Sequence, residues 1–376
     1  MRFNWRLFLY QISTIFTLPR HPVFRFGLRR LRFYGAFFAL FLVGQSLAWL
    51  HFALDHLFFP GFRRTRVAGP LFVVGNFRSG TTFLHRLLWQ DSDTFTSLTT
   101  REIYVTPSVS QRKLWGLLLR VDDYVGRPFQ RWLARIDREV LNRIKFHRVG
   151  LEETEEDEGL LLYLWESLFT WFFFPTGGWE RDFFDFDNRV GPGRKRRVLR
   201  FYDFCMRRHL YAHRTDRTLL SKNPSFSAKV RSVAREFPDA RFVYVRRRPE
   251  EVVPSMINWF AFVWHYFGNP DERFPYRERI ADLAGHWQAH ALRELTTLPA
   301  ERVLVIDFDD LVGDVAGTVK RIYHHFGFRI TPVMEAALER AQQESREFVP
   351  HARLSLDDVG IDGESIAGRF QLPPVS

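Results

Sequence analysis

The stretch "GNFRSGTTFLHRLL" at 75–88 follows the apolar run "LFVV" and carries Gly75 and Gly80 in G-x4-G spacing, with Thr81 and Thr82 directly behind. Backbone N–H groups in such a turn, opening onto a helix, form an anion cradle without side-chain help. Glycine lets the main chain approach the ligand closely. ATP and GTP loops of this spacing place a lysine right after the second glycine, where it reaches the β- and γ-phosphates. Here that position is Thr81, and the positive charge sits at Arg78, inside the loop. An arginine there grips a nearer group, which suits a single 5′-phosphate bearing one transferable group. The amides of Ser79, Gly80, Thr81 and Thr82 are the candidate donors. A second basic site is "RRRPEEVVPS" at 246–255. Arg247 offers phosphate a bidentate fork, and Ser255, eight residues on, adds a hydroxyl donor. A glycine turn or an arginine cluster alone is an ordinary corner or a solvated surface; the two together are more restrictive.

Both sites need a scaffold. Short apolar runs at 71–75, 217–224, 240–247 and 302–308 alternate with helical stretches, the last of them 309–326. Apolar strands with helical connections predict a parallel sheet covered on both faces. Such sheets bind ligands at the carboxyl ends of their strands, where the loops after 74, 221 and 246 should meet. The fold expected is therefore α/β: a P-loop-like parallel sheet flanked by helices, with a helical insertion at about 101–215.

The charge is uneven. Residues 1–70 hold ten Arg and one acid, Asp55, which is +9 of the chain's +11. A nucleic-acid binder would carry its basic face on the folded domain, so no nucleic-acid partner is expected. The basic residues instead flank "FYGAFFALFLVGQSLAWLHFAL", 33–54, which has no charged residue. That run is long enough for a bilayer, which needs roughly 20 apolar residues. Arginines on both sides give no orientation and suit a helix lying in one leaflet; a greasy helix packed on the catalytic domain is the competing possibility. The run is too long and too far from the N-terminus for a signal peptide. Residues 1–68 are thus expected to be a membrane-associating segment and 69–376 the catalytic domain. The single cysteine, Cys205, and the lack of any Asn-x-Ser/Thr acceptor ("NPS" at 223 has proline in the middle) favour a cytoplasmic setting for that domain.

Taken together, "GNFRSGTTFLHRLL", Arg247 with Ser255, and "SKNPSFSAKVRSVAREFPDARFVYVRRRPEEVVPS" resemble the sulfotransferase superfamily, in particular the protein-tyrosine and many bacterial sulfotransferases. The resemblance covers about 71–330. Phe77 stands where that family usually has proline, and Arg248 where aspartate is common. It implies 3′-phosphoadenosine 5′-phosphosulfate as co-substrate, with Arg78 and its loop at the 5′ end and Arg247 and Ser255 at the 3′-phosphate. Lys222, in "LSKNP", matches the family's catalytic lysine and would neutralise charge on the transferring group. Only six of the chain's basic residues are lysines, against 48 arginines.

Sulfuryl transfer also needs a base for the acceptor proton. Glu102, in "TTREIYVTPS", resembles the family's catalytic glutamate; His147, in "KFHRVGLEETEEDEGLLLY", is the rival. The acidic run 152–158 reads as a solvated helix start. The aromatic run 163–179 reads as core or membrane-facing surface, or else as a wall for an apolar acceptor. The chemistry requires no metal. A small-molecule, lipid or glycan acceptor near a membrane surface is expected. Two alternatives stand beside this one. "VLVID" at 303–307 mimics the Walker B strand of an ATP or GTP kinase, ending in Asp307. A non-catalytic nucleotide-binding membrane module is the other.

Overall fold

The computed structural model describes residues 2–17, 21, 23–24, 27–139, 150–176, 178–267, 270, 272–347 and 354–370. Its centre is a parallel sheet of β1 (Leu71–Gly75), β2 (Phe95–Thr96), β3 (Thr218–Lys222), β4 (Arg241–Arg246) and β5 (Val303–Asp307), in the order β2-β3-β1-β4-β5. Four of these strands lie within the predicted runs. The fifth, β2, has two residues and was too short to show a pattern. Successive side chains of a strand point to opposite faces. Phe72 and Val74 of β1 and Phe242 and Tyr244 of β4 enter one apolar cluster. Leu71, Val73, Val243 and Val245 enter the other. Two covered faces are why these strands read as unbroken apolar runs.

At the carboxyl ends, β1 turns into helix α3, Thr81–Trp89, and β4 into the helix Pro249–Phe267. Proline opens the latter, where its missing N–H costs no hydrogen bond. The predicted 309–326 helix is broken at Asp314 into Phe308–Gly313 and Val315–Phe326, because the Asp314 side chain accepts from the Gly317 N–H and caps the second piece.

Described residues of 1–68 share the core of this domain. Three helices are involved: α1 (Trp5–Thr17), α2 (Leu28–Phe58) and, from the insertion, α5 (Val109–Tyr124). Phe8, Tyr34, Ala48 and Phe52 belong to the same apolar cluster as β1. Asp55 of α2 is fully buried against Arg208, 2.9 Å away, and accepts from the Val109 and Ser110 N–H groups at the start of α5 (2.9 and 2.8 Å). The aromatic run 163–179 is core among its described residues. Trp165 packs on Phe8 and Phe41, and Trp171 on Phe260 and Trp264. The insertion is helical as expected, but its acidic run is no solvated helix start. Asp157 and Glu158 are buried at the head of a 3-10 segment, Asp157–Leu164.

Candidate active site

The loop after β1 is held rigidly. Gly75 has φ +150° and a Cβ there would lie 2.6 Å from the Val245 carbonyl; Gly80 has φ +91° and a Cβ would lie 2.7 Å from the Phe308 ring. Both positions therefore demand glycine. Asn76 Nδ2 donates to the Ala284 carbonyl (3.0 Å), and Ser227 Oγ donates to the Gly75 carbonyl (3.0 Å). Ser79, expected as an anion donor, instead ties the turn together. Its Oγ and its N–H both donate to the Asn76 carbonyl, at 2.7 and 3.3 Å. Thr81 and Thr82 open α3, where first-turn amides have no partner within the helix.

The second site folds onto the first. Arg78 Nε donates to Ser255 Oγ (3.3 Å), and Arg247 Nη1 donates to the Arg78 carbonyl (2.7 Å). Arg247 is steadied by Glu251, at 3.0 Å, and lies 4.3 Å over the Phe308 ring. Desolvation, and then the Arg247 charge, pull the Arg78 guanidinium below the ordinary arginine value. Arg78 makes no ion pair among the described residues, so two guanidiniums share one place with too little negative charge. That arrangement fits an anionic ligand. Asp307, the Walker B mimic, is engaged by Arg246 at 2.6 Å, and this hydrogen bond holds its carboxyl below the usual range.

Lys222 ends β3, beside Val73 of β1. It is buried, and its Nζ donates to Glu156 Oε1 at 2.7 Å, with Glu155 at 3.6 Å. The neighbouring acids fasten the loop after β3. Asp157 accepts from Tyr202 (2.6 Å) and Asn223 (3.1 Å), and Glu158 from Ser225 (2.6 Å) and Lys229 (2.9 Å). Burial pushes Asp157 up to about 6 despite those hydrogen bonds. Burial and the Lys222 charge push His85 down to about 3, so its ring is neutral at pH 7.

Glu102 points elsewhere. It sits in α4, Thr100–Tyr104, where it closes a capping box with Thr99. Tyr104, two residues on and so on the opposite face, feels the charges of Glu155 and Glu156. The Glu102 carboxylate instead meets His213 (2.6 Å), Arg112 (3.3 Å) and His209 (3.4 Å). Burial alone would raise it, but Arg112 and His209 hold it well below the carboxylate range. A carboxylate so held is a poor proton acceptor, which weighs against the expectation that it is the base. Glu102, His209 and His213 present metal-ligand atoms within 4.8 Å of one another, yet Arg112 already supplies a positive charge to that group. His147 lies outside the described residues. Sequence inspection missed Glu155 and Glu156 as partners of Lys222, and Glu251 and Phe308 as supports of Arg247. The available signal was density: two of the six lysines, Lys222 and Lys229, and four adjacent acids, 155–158, proved to face one another.

Comparison with known proteins gives the family and the fold. The profile of the sulfotransferase family matches residues 70–332. The omega-hydroxy-beta-dihydromenaquinone-9 sulfotransferases Stf3 of Mycobacterium bovis and Mycobacterium tuberculosis are each 26% identical over 272 residues, 69% of this chain. The chain spans 62% of the length of these relatives. Two solved structures share the fold. Sulfotransferase STF9 from Mycobacterium avium superposes with a TM-score of 0.72 at 20% identity, covering 96% of this chain and 88% of its own. Sulfotransferase STF1 from Mycobacterium tuberculosis gives 0.68 at 18%, covering 96% and 91%.

Proposed function

This chain belongs to the sulfotransferase family, and from that premise we propose that it transfers a sulfuryl group from 3′-phosphoadenosine 5′-phosphosulfate to the hydroxyl of an apolar acceptor at a membrane. The observation that carries the proposal is the meeting of Arg78, Arg247 and Ser255 at the carboxyl ends of β1 and β4. Arg247 and Ser255 hold the donor's 3′-phosphate. Arg78 and the amides of Gly80, Thr81 and Thr82 hold the 5′-phosphate and stabilise it as it leaves. The sulfur–oxygen bond to that phosphate breaks, and a new one forms to the acceptor oxygen. Lys222 turns from Glu156 toward the sulfonate, and Glu156, freed of its cation, takes the acceptor proton. The products are a sulfate ester and adenosine 3′,5′-bisphosphate.

A hydroxylated menaquinone, the acceptor in the relatives' name, is the class we favour. It suits the apolar N-terminal helices described below. Incubation with sulfur-labelled donor, without divalent cation, tests the proposal across hydroxylated isoprenoid quinones, glycans and tyrosine peptides. Label in the quinone fraction is expected. Label confined to glycans or peptides contradicts the acceptor; no label with any acceptor contradicts the enzyme.

A further inference from the structure

We infer that α1 and α2 form an in-plane platform that beds into one leaflet of an anionic bilayer, with α2 lying along the surface rather than crossing it. The inference deepens the membrane part of the proposed function and rests on that reading. Helix α2 has 31 residues, about 46 Å at 1.5 Å per residue, ample to span. Its contacts forbid a crossing, because the domain holds it along its whole length. Near one end, Arg30 and Tyr34 are buried, and Tyr34 donates to the Phe173 carbonyl (3.0 Å). In the middle, Gln45 Nε2 donates to the Tyr163 carbonyl (2.6 Å). At the other end, Ala48, Phe52 and Asp55 are buried, with Asp55 on Arg208. The positions 30, 34, 48, 52 and 55 trace one helical stripe. To cross a bilayer, α2 would have to leave that stripe and abandon Arg208 unpaired in the core, or carry the domain's polar groups into hydrocarbon.

The opposite face is apolar and open. Leu40, Val43 and Leu50 are 76%, 62% and 55% exposed, and between 33 and 54 Ser46 is the only polar residue among the exposed ones. Helix α1 adds Trp5, Leu9, Tyr10 and Phe16, all exposed, while its inner edge packs through Phe8 on Phe38 and Phe41 of α2. Patches of this kind mark docking surfaces. Charge selects the occupant. Arg29 and Arg32 lie exposed at one end of α2, with Arg63 and Arg64 just past the other. Asp55, the only acid of the first seventy residues, is buried, so this face offers positive charge alone. An apolar strip rimmed by arginines fits acyl chains beneath anionic headgroups.

The full-length protein is tested against vesicles of phosphatidylglycerol with phosphatidylcholine, and of phosphatidylcholine alone. Binding is expected to be at least 10-fold stronger to the anionic vesicles, and to fall at least 10-fold in V43E/L47E, two exposed positions. Adenosine 3′,5′-bisphosphate binding in detergent should be unchanged in that variant, which separates a lost membrane contact from misfolding or a wrong donor. Orientation is read with single cysteines at Gly27 and Arg66, since the native Cys205 is buried and silent. An impermeant maleimide added on the catalytic side should label both. Labelling of only one means α2 spans and overturns the inference. Unchanged vesicle binding by the double variant overturns it, as does a vesicle-free dimer that the double variant disperses, which would assign the face to a second copy of the chain.

Discussion

Two carboxylate neighbourhoods lie within one insertion and differ in their charge balance. Around Glu102, one acid is met by the Arg112 charge and by the rings of His209 and His213, so the anion is matched by a cation and its carboxyl is held well below the usual range. Around Lys222, one cation meets Glu155 and Glu156, with Asp157 and Glu158 behind them, so negative charge is in excess. The first arrangement ties α4 to the helix Pro192–His213. The second we propose to be a lysine that an anionic sulfonate draws away, leaving a carboxylate able to take a proton. On that proposal local charge balance, not residue type, separates a base from a joint.

Exchanging the two carboxylates tests that contrast most severely. Glu156→Gln should lower kcat by roughly 10²–10⁴-fold with donor affinity retained, because a general base is lost. Glu102→Gln should leave kcat of the folded enzyme within a few-fold and instead cost about 1.5–3 kcal/mol of stability in denaturant titration. The reverse pattern would return the base to Glu102. Lys222→Met is next in size. Loss of one charge-stabilising donor should reduce kcat by roughly 10²–10³-fold, and single-turnover measurement separates this from donor binding. Arg247→Ala acts on the donor side: its charge-assisted contact of about 1.5–3 kcal/mol should raise the donor Kd by roughly 10–100-fold. An unchanged Kd would remove the 3′-phosphate from that residue.

A further effect concerns pH. Asp157 titrates near 6 in the folded protein, above its unfolded value, so its contribution is full below about 3.8 and is lost as pH rises through 6. Relative to Asp157→Asn, the wild type should therefore lose about 2 kcal/mol of stability between pH 4 and pH 7. A difference that does not vary with pH would mean the Asp157 carboxyl is not raised.

The two basic loops that the structure brings together were legible because their signals are local. Gly75 and Gly80 show in backbone demands, and Arg78, Arg247 and Ser255 in short spacings, which a chain displays directly. Four apolar strands were visible for the same reason, since each is buried on both faces. The insertion was not legible, because its pairings are long-range. Lys222 meets Glu156 across 66 residues of chain, and Arg208 meets Asp55 across 153. Charged residues with distant partners look solvated in sequence, as 152–158 did. For the same reason the sequence did not show that Asp55 and Phe52, within 1–68, are parts of the core.

We propose that the cradle between Arg78 and Arg247 is built for a 3′-phosphorylated adenosine nucleotide. Calorimetric titration of the full-length protein without Mg²⁺, comparing adenosine 3′,5′-bisphosphate with adenosine 5′-monophosphate and with ATP, tests it directly. Tightest binding is expected for the bisphosphate, with its advantage over the monophosphate lost in Arg247→Ala. Preference for Mg-ATP, or equal affinity for the bisphosphate and the monophosphate in the wild type, would contradict it.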